Sequence, residues 1–324
     1  MPQLMPTPPR LSIVIPTVDD TAALEETLVS VLENRPDDCE IVVVLACDYA
    51  DPWNIRDEVR FVKAPARAGL VSCINLGIAA SAGQVIHILT AGWRATAGWT
   101  DRPLEKLASG VAGAVAPLAA ADATRSQTLP TGVRCTRGGR RVAAAAKPMA
   151  PALEVGFWRA DVLDMVGGSF SDACGDAGAD ADMAVALARL GCPVVTEPAA
   201  VVVRGPQRRR QAAFLAGLHA ERLFWRSAGG RPLVPALCLH LVEVLRHAFV
   251  RGPLGTVPML AGRLVALLQF GSYRQRYQQL RRLAEAATTD ANRATIRIDA
   301  AHAAVSRPTV VDRDAPPAPL RRSA

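Results

Sequence analysis

The sequence predicts an α/β fold, a doubly wound and mostly parallel sheet followed by an amphipathic helical extension. Two observations carry this reading. Short β-branched apolar runs stop at turn residues and alternate with helical patterns, at the spacing of right-handed βαβ crossovers. After Arg204 the strand-like runs end, and three apolar-periodic helical stretches follow in a strongly basic segment.

The elements follow in order. Leu11–Ile15, stopped by Pro16 and Thr17, is apolar on both faces, as a buried parallel strand is. Asp19, Asp20 and Thr21 supply a cap for a helix to about Glu33, with Leu24, Leu28, Val31 and Leu32 on one face. Glu40–Ala46 is a second buried strand, and a shorter one lies around Arg60–Val62. Gly69–Ala82 reads as a helix with Leu70, Cys73, Ile74, Gly77 and Ile78 inward, and Gln84–Leu89 as the next strand. Thr17, Leu45-Ala46 and Thr90-Ala91-Gly92 then fall at the carboxyl ends of strands, where open α/β sheets bind ligands.

Further along, Val111–Leu118 is a strand, and Ala119–Ala150 is a polar Gly/Ala/Arg-rich loop or irregular hairpin. Leu153–Arg159 is a strand, Asp161–Met165 a short helix, and Gly167-Gly168 a turn. Asp180–Leu190 is helical, and Pro193–Thr196 and Ala200–Arg204 are two short strands. The final helices lie near Gln211–Arg226, Pro232–Val250 and Pro258–Gln269. The middle one has the clearest stripe, with Val234, Leu237, Cys238, Leu241, Val242, Leu245 and Phe249 on one side and His240, Glu243, Arg246 and His247 opposite. The expected organisation is a disordered 1–10, an α/β domain over 11–205, a basic helical region over 206–285, and a disordered tail over 286–324.

Bulk composition narrows the function classes. Half of the 324 residues are hydrophobic, enough to bury a full core. The formal charge is +7, and it is uneven: from Arg204 to Glu285 fourteen arginines face three glutamates, a net +11, which leaves the rest at −4. Such a segment calls for an anionic surface partner. Aromatic residues are scarce among the basic helices and no nucleic-acid-binding module is visible, which argues against nucleic acid. An arginine-rich amphipathic hairpin reads better as lying on an anionic membrane leaflet, or as packing on the α/β domain or a second subunit. The seven cysteines are scattered without a C-x-x-C pair, so they read as core residues in a reducing compartment. The N-terminus lacks a signal-peptide core, and no run of eighteen apolar residues marks a membrane span. The expected location is cytoplasmic, peripheral at the inner face of the cell membrane.

Several segments resemble family 2 glycosyltransferases of the GT-A fold, in particular bacterial members. Leu11–Thr17 followed by Leu24–Leu32 resembles the family's opening, and Gly69-Leu70 through Asn75–Ala80 its next helix. Val166–Phe170, Asp180–Met183 and Leu190–Val195 resemble the acceptor-side segment, and the terminal helices resemble a bacterial amphipathic extension. The resemblance covers about residues 11–205. It implies inverting transfer of a sugar from a nucleotide-diphosphate donor to a glycan or lipid-linked acceptor. The family holds the nucleoside with an acidic pair, coordinates Mg²⁺ or Mn²⁺ with an Asp-x-Asp, and uses a later carboxylate as base.

This chain departs from that pattern at the first two features. The acidic pair falls on Leu45-Ala46, with Asp48 two residues beyond, and the Asp-x-Asp on Thr90-Ala91-Gly92. The histidine that often joins the metal site is Arg204. A divalent metal is therefore not expected. By resemblance Asp180 falls on the base position and Asp182 just after it, and both also suit a helix N-terminus for structural reasons; Asp172 and Asp176 are nearby alternatives. Thr17, Asp19, Arg67, Thr90, Arg94 and Arg204 are the candidate nucleotide contacts, with Arg94 and Arg204 able to neutralise a diphosphate in place of a metal. Two readings stay open: a metal-independent transferase, or a non-catalytic relative acting as a binding or scaffold subunit, alone or in a homo- or hetero-oligomer.

Overall fold

The first strand, β1 (Leu11–Thr17), is buried along its whole length and lies at the centre of the sheet. The computed structural model describes residues 9–122, 127–205 and 211–286. Asp20 caps α1 (Thr21–Asn34) by accepting the Ala23 N–H at 2.9 Å. β2 (Cys39–Leu45) and β3 (Val59–Lys63) extend the sheet in parallel on one side of β1. α2 (Leu70–Ala80) crosses back to β4 (Val85–Leu89), which pairs with β1 in parallel on its other side. Helix and sheet meet closely here: a Cβ on Gly77 would lie 2.2 Å from Val14 Cγ1, so only glycine admits this approach.

α3 (Asp101–Ala108), which the sequence pattern did not single out, leads to β5 (Ala114–Ala120). The segment expected as a loop or irregular hairpin folds into β6 (Thr128–Pro130), β7 (Gly132–Cys135), β8 (Arg141–Ala143) and β9 (Ala150–Pro151). β6 pairs with β5, and the other three form a small antiparallel sheet in the order β8-β7-β9. Strands this short carry little alternation, which is why the sequence pattern left them unresolved.

β10 (Val155–Arg159) inserts antiparallel between β4 and β5. α4 (Ala160–Met165), a 3-10 turn at Asp172–Cys174 and α5 (Ala179–Leu190) follow. β11 (Val194–Val203) closes the sheet beside β5. It is one strand where two were expected, and its pairing shifts register between Thr196 and Val201. Pro198 has no N–H for the ladder, and the Glu197 carboxylate takes up the Ala199 N–H at 2.8 Å. The main sheet runs β11-β5-β10-β4-β1-β2-β3, parallel except for β10 and β6. The α/β fold with a mostly parallel sheet and a helical C-terminal region is thus as the sequence pattern predicts.

α6 (Ala213–Ala228) and α7 (Leu233–Leu267) pack with the sheet domain in one unit, Met1–Leu283. A second unit, Ala284–Ala324, is described only over 284–286, which is helical, as is 270–283. The segments expected to be disordered, and Arg208–Arg210, otherwise lie outside the described residues.

α7 differs from its expected form in one way: it joins two expected helices across a break at Gly252 (φ 68°), which precedes Pro253. The apolar stripe faces outward, with Phe249 89%, Leu254 95% and Leu268, just beyond it, 87% exposed, while His240 is buried against the domain. By length and composition α7 suffices to cross a membrane, which the search for an uninterrupted apolar run missed. Much of the basic surplus also turns inward: Arg222, Arg226, Arg251 and Arg263 all donate to groups within the fold.

Under the sheet, His87 stacks on Phe157 with centroids 3.7 Å apart. Its Nε2 accepts the Trp99 indole N–H at 3.1 Å, so its Nδ1 carries the proton and donates to Gly156 O at 3.1 Å. Burial lowers its pKa from the ordinary 6.5 to about 3. The unfolded chain gains a proton here on acidification before the folded chain does, so this stabilisation is complete above about pH 6.5 and lost as pH falls toward 3. Urea melts of His87→Phe should show about 1–3 kcal/mol lower stability at pH 7, from the orphaned indole donor. The same variant should lose less stability between pH 7 and 5 than the wild type; an equal loss would remove His87 as the source.

Candidate functional site

The strand ends that face the expected site are stitched together by backbone. Thr90 N–H donates to Glu154 O (2.9 Å) and Ala91 N–H to Pro16 O (3.2 Å). Gly92 N–H is taken by Ala23 O (3.0 Å) and Thr27 Oγ1 (2.8 Å). Arg94 exchanges both backbone bonds with Val203. The turn's N–H groups are therefore committed inside the protein, so donors to a ligand at this turn come from side chains. Thr17 Oγ1 and Thr90 Oγ1 are buried there without a hydrogen-bond partner among the described residues.

The turn does not fit a metal. Gly92 has φ +93°, a conformation that a side chain strains, and a Cβ on Gly205 would sit 2.6 Å from the Gly92 carbonyl carbon. A carboxylate-bearing residue at 92 would be strained on this backbone. A hydroxyl, a glycine and an arginine are a poor donor set for a hard divalent cation, which takes several oxygen ligands. Among the described residues no group of three or more His, Cys, Asp or Glu is placed to hold a metal ion.

Beside this turn lies a cleft of about 330 Å³, lined by Trp93, Arg141, Glu154 and Arg204 together with the β6–β7 segment. Arg204 follows β11, whose end is fixed by the Arg204 N–H to Ala120 O bond (2.8 Å). Glu154 precedes β10, and its carbonyl holds Thr90. The cleft thus gathers two guanidiniums, one carboxylate and an indole at the carboxyl ends of the central strands. The sequence reading found Arg204 and missed Arg141 and Glu154. Glu154 carried a signal, a lone acid between the apolar Leu153 and Val155; Arg141 carried none, because β8 was not resolved.

Asp180 and Asp182 both lie in the first turn of α5, whose N-cap position is Gly178. Two residues apart on a helix, they point about 200° apart, toward different layers. Asp180 is 1% exposed and makes a bidentate pair with Arg141 (2.8 and 2.7 Å), and it accepts the Leu153 N–H at 3.2 Å. Burial works to lower the Arg141 pKa, but the Asp180 carboxylate outweighs it and the net direction is up. Asp182 pairs just as closely with Arg226 of α6 (2.6 and 2.7 Å), and Arg226 also reaches Ser171 Oγ (3.1 Å). Asp182 is therefore tied into the α5–α6 packing.

The remaining candidates lie apart. Asp19 is exposed beside the capping Asp20, and Arg67 is exposed with φ +64° in the loop after β3. Arg94 is exposed while its backbone pairs with β11. Asp48 is exposed, with Lys63 3.7 Å away. The Asp176 carboxylate caps α2 through the Leu70 and Val71 N–H groups (3.3 and 3.0 Å). Asn75 makes two bonds with the Phe170 backbone (2.9 and 2.8 Å), which ties α2 to the loop after α4.

Residues 12–130 match the family model for glycosyl transferase family 2. Over 121 residues, 34% of this chain, the sequence is 29% identical to polypeptide N-acetylgalactosaminyltransferase 12 of Mus musculus, and the match spans about a fifth (21%) of that curated relative. Among solved structures, the mannosyltransferase PcManGT from Pyrobaculum calidifontis in complex with GDP-Man and Mn²⁺ is similar with a TM-score of 0.52 and 19% identity, covering 88% of this chain and 87% of that one. GalNAc-T7 with UDP, GalNAc and Mn²⁺ is similar with a TM-score of 0.53 and 13% identity, covering 69% and 48%. The fold is that of GT-A glycosyltransferases.

The Asp182–Arg226 pair carries a stability consequence. Asp182→Ala should cost about 3–5 kcal/mol by leaving Arg226 buried and unpaired. Asp182→Ala with Arg226→Leu should recover much of that loss in urea melts. A single variant as stable as the wild type would show that the pair does not hold α5 to α6.

Proposed function

We propose that this chain, which carries a family 2 glycosyltransferase segment on a GT-A fold, transfers a sugar from a nucleotide-diphosphate donor to a glycan or lipid-linked acceptor. The observation that carries the reading is the cleft of Trp93, Arg141, Glu154 and Arg204 at the strand ends. In inverting transfer the acceptor oxygen attacks the anomeric carbon and the bond from that carbon to the distal phosphate oxygen breaks. The electron pair leaves with the diphosphate, and the acceptor proton passes to a carboxylate. A diphosphate leaving group needs counter-charge, and Arg204 and Arg141, with Arg94 at the adjacent turn, supply it by bidentate contacts. Thr17, Thr90, Asp19 and Arg67 are the further nucleotide-side contacts in this reading. Asp180 is the base, on the condition that Arg141 leaves it during the cycle; Asp182 supports it by fixing the start of α5.

A second reading is a non-catalytic relative that binds or scaffolds a partner. The Arg141–Asp180 pair favours it, because one guanidinium occupies both oxygens of the carboxylate that would take the acceptor proton. The family match and the charged cleft favour transfer.

The place of action proposed is the inner face of a membrane. The outer faces of both halves of α7 present apolar side chains almost exclusively, with Arg246 the charged residue among the exposed ones. A patch of this kind on one side of a broken helix suits insertion into the interfacial layer, with Arg274, Arg281 and Arg282 of the following helix exposed for anionic headgroups.

Two experiments test these readings. Calorimetry with UDP-, GDP- and dTDP-sugars should show binding by one of them that is unchanged by Mn²⁺ or chelator and weakened about tenfold or more in Arg204→Ala; no binding to any would sink the transferase reading. Vesicles containing anionic lipid should sediment the protein at low salt, less so at high salt and less for Phe249→Ser with Leu254→Ser. Failure to sediment, with a stable dimer in solution, would assign the apolar face to a second copy instead.

A further inference from the structure

Arg141 borders a second cavity as well. This one, of about 200 Å³, lies between the β7–β8 turn, the loop before α5 and the inner faces of α6 and α7. Four arginines line it, Arg140, Arg141, Arg246 and Arg263, with one lining carboxylate, Glu243; Asp180 and Glu221, behind the lining, hold Arg141 and Arg263, which leaves a surplus of one positive charge. Glu243 is shared between Arg140 (3.1 Å) and Arg246 (2.7 Å), so one negative charge serves two positive ones. Arg263 is buried. It donates to Glu221 at 2.6 Å and to His247 Nδ1 at 3.2 Å, which leaves His247 with its other ring nitrogen protonated and a donor. The surplus charge has a local consequence: burial first, and then Arg263, Arg251 and Arg246, lower the His247 pKa to about 4.

The arrangement is the reverse of ordinary helix packing. α7 keeps its polar face inward around this cavity and its apolar face outward. A cavity rimmed by donors, with few acceptors, is built for an anion with several acceptor oxygens. We infer that it binds a phosphate-bearing anion, held by Arg140, Arg246 and Arg263 with the His247 ring. Phosphate is the shared chemistry of two sources, a free phosphate and the headgroup of a phosphate-bearing lipid. Arg141 lines both cavities, and the anion also draws on its guanidinium, which loosens the pair that masks the Asp180 carboxylate. As an acceptor-recognition site the cavity rests on the transferase reading; as an anion site it does not.

The test is calorimetry on the full chain at low salt with inorganic phosphate, pyrophosphate and a short-chain prenyl monophosphate. At least one probe should bind. Arg140→Gln and Arg246→Gln should each weaken it about tenfold, and Glu243→Gln, which removes the competing carboxylate, should tighten it about tenfold. Opposite signs from neighbouring surface-accessible substitutions separate recognition from loss of fold. Tighter binding of the prenyl probe than of inorganic phosphate identifies the lipid source, and equal binding the free one. No binding of any probe at millimolar concentration, or the same sign of change in Glu243→Gln and Arg246→Gln, would overturn the inference. Retained phosphate binding in a chain that binds no nucleotide sugar would sink the transferase reading and leave this site standing.

Discussion

The ion pairs at the start of α5 connect the working parts of this protein. Asp180 fastens α5 to the small sheet through Arg141, and Asp182 fastens it to α6 through Arg226. Both carboxylates are nearly fully buried, so neither tolerates loss of its partner. In the proposed reaction the first pair also decides whether Asp180 is free to take a proton. Arg141 neutralises Asp180, borders the strand-end cleft and borders the cavity under α7, so any ligand that moves it acts on all three.

The strand-end turn is a settled structure rather than a damaged motif. Its amides are satisfied by β1, α1, Glu154 just before β10, and β11, and its glycine meets Gly205 backbone to backbone. A carboxylate-bearing residue at 92 would have to adopt the strained φ of +93°. Positive charge reaches the cleft from elsewhere, through Arg204 after β11 and Arg141 on β8. Arginine needs no ordered coordination shell to meet a diphosphate, which makes the exchange chemically coherent.

The sheet was legible in the sequence because its strands are short β-branched runs with abrupt ends, and such runs have few alternatives once buried. The register shift in β11 was not, because Pro198 looked like a strand break. The site was half legible. Arg204, Thr90 and Asp180 stood out against a family pattern, since their positions are fixed by strand and helix ends. Arg141 did not, because its strand has three residues and pairs only with β7. The α7 stripe was legible but its orientation was left open: periodicity gives the existence of an apolar face and is silent on which way it points.

The account stands or falls on arginine, in place of a metal, carrying the departing diphosphate. The direct measurement is release of nucleoside diphosphate from a nucleotide sugar by the full chain, with anionic vesicles present, in excess chelator and in Mn²⁺. The account predicts equal rates in the two conditions. A rate that vanishes in chelator and returns with Mn²⁺ would contradict it.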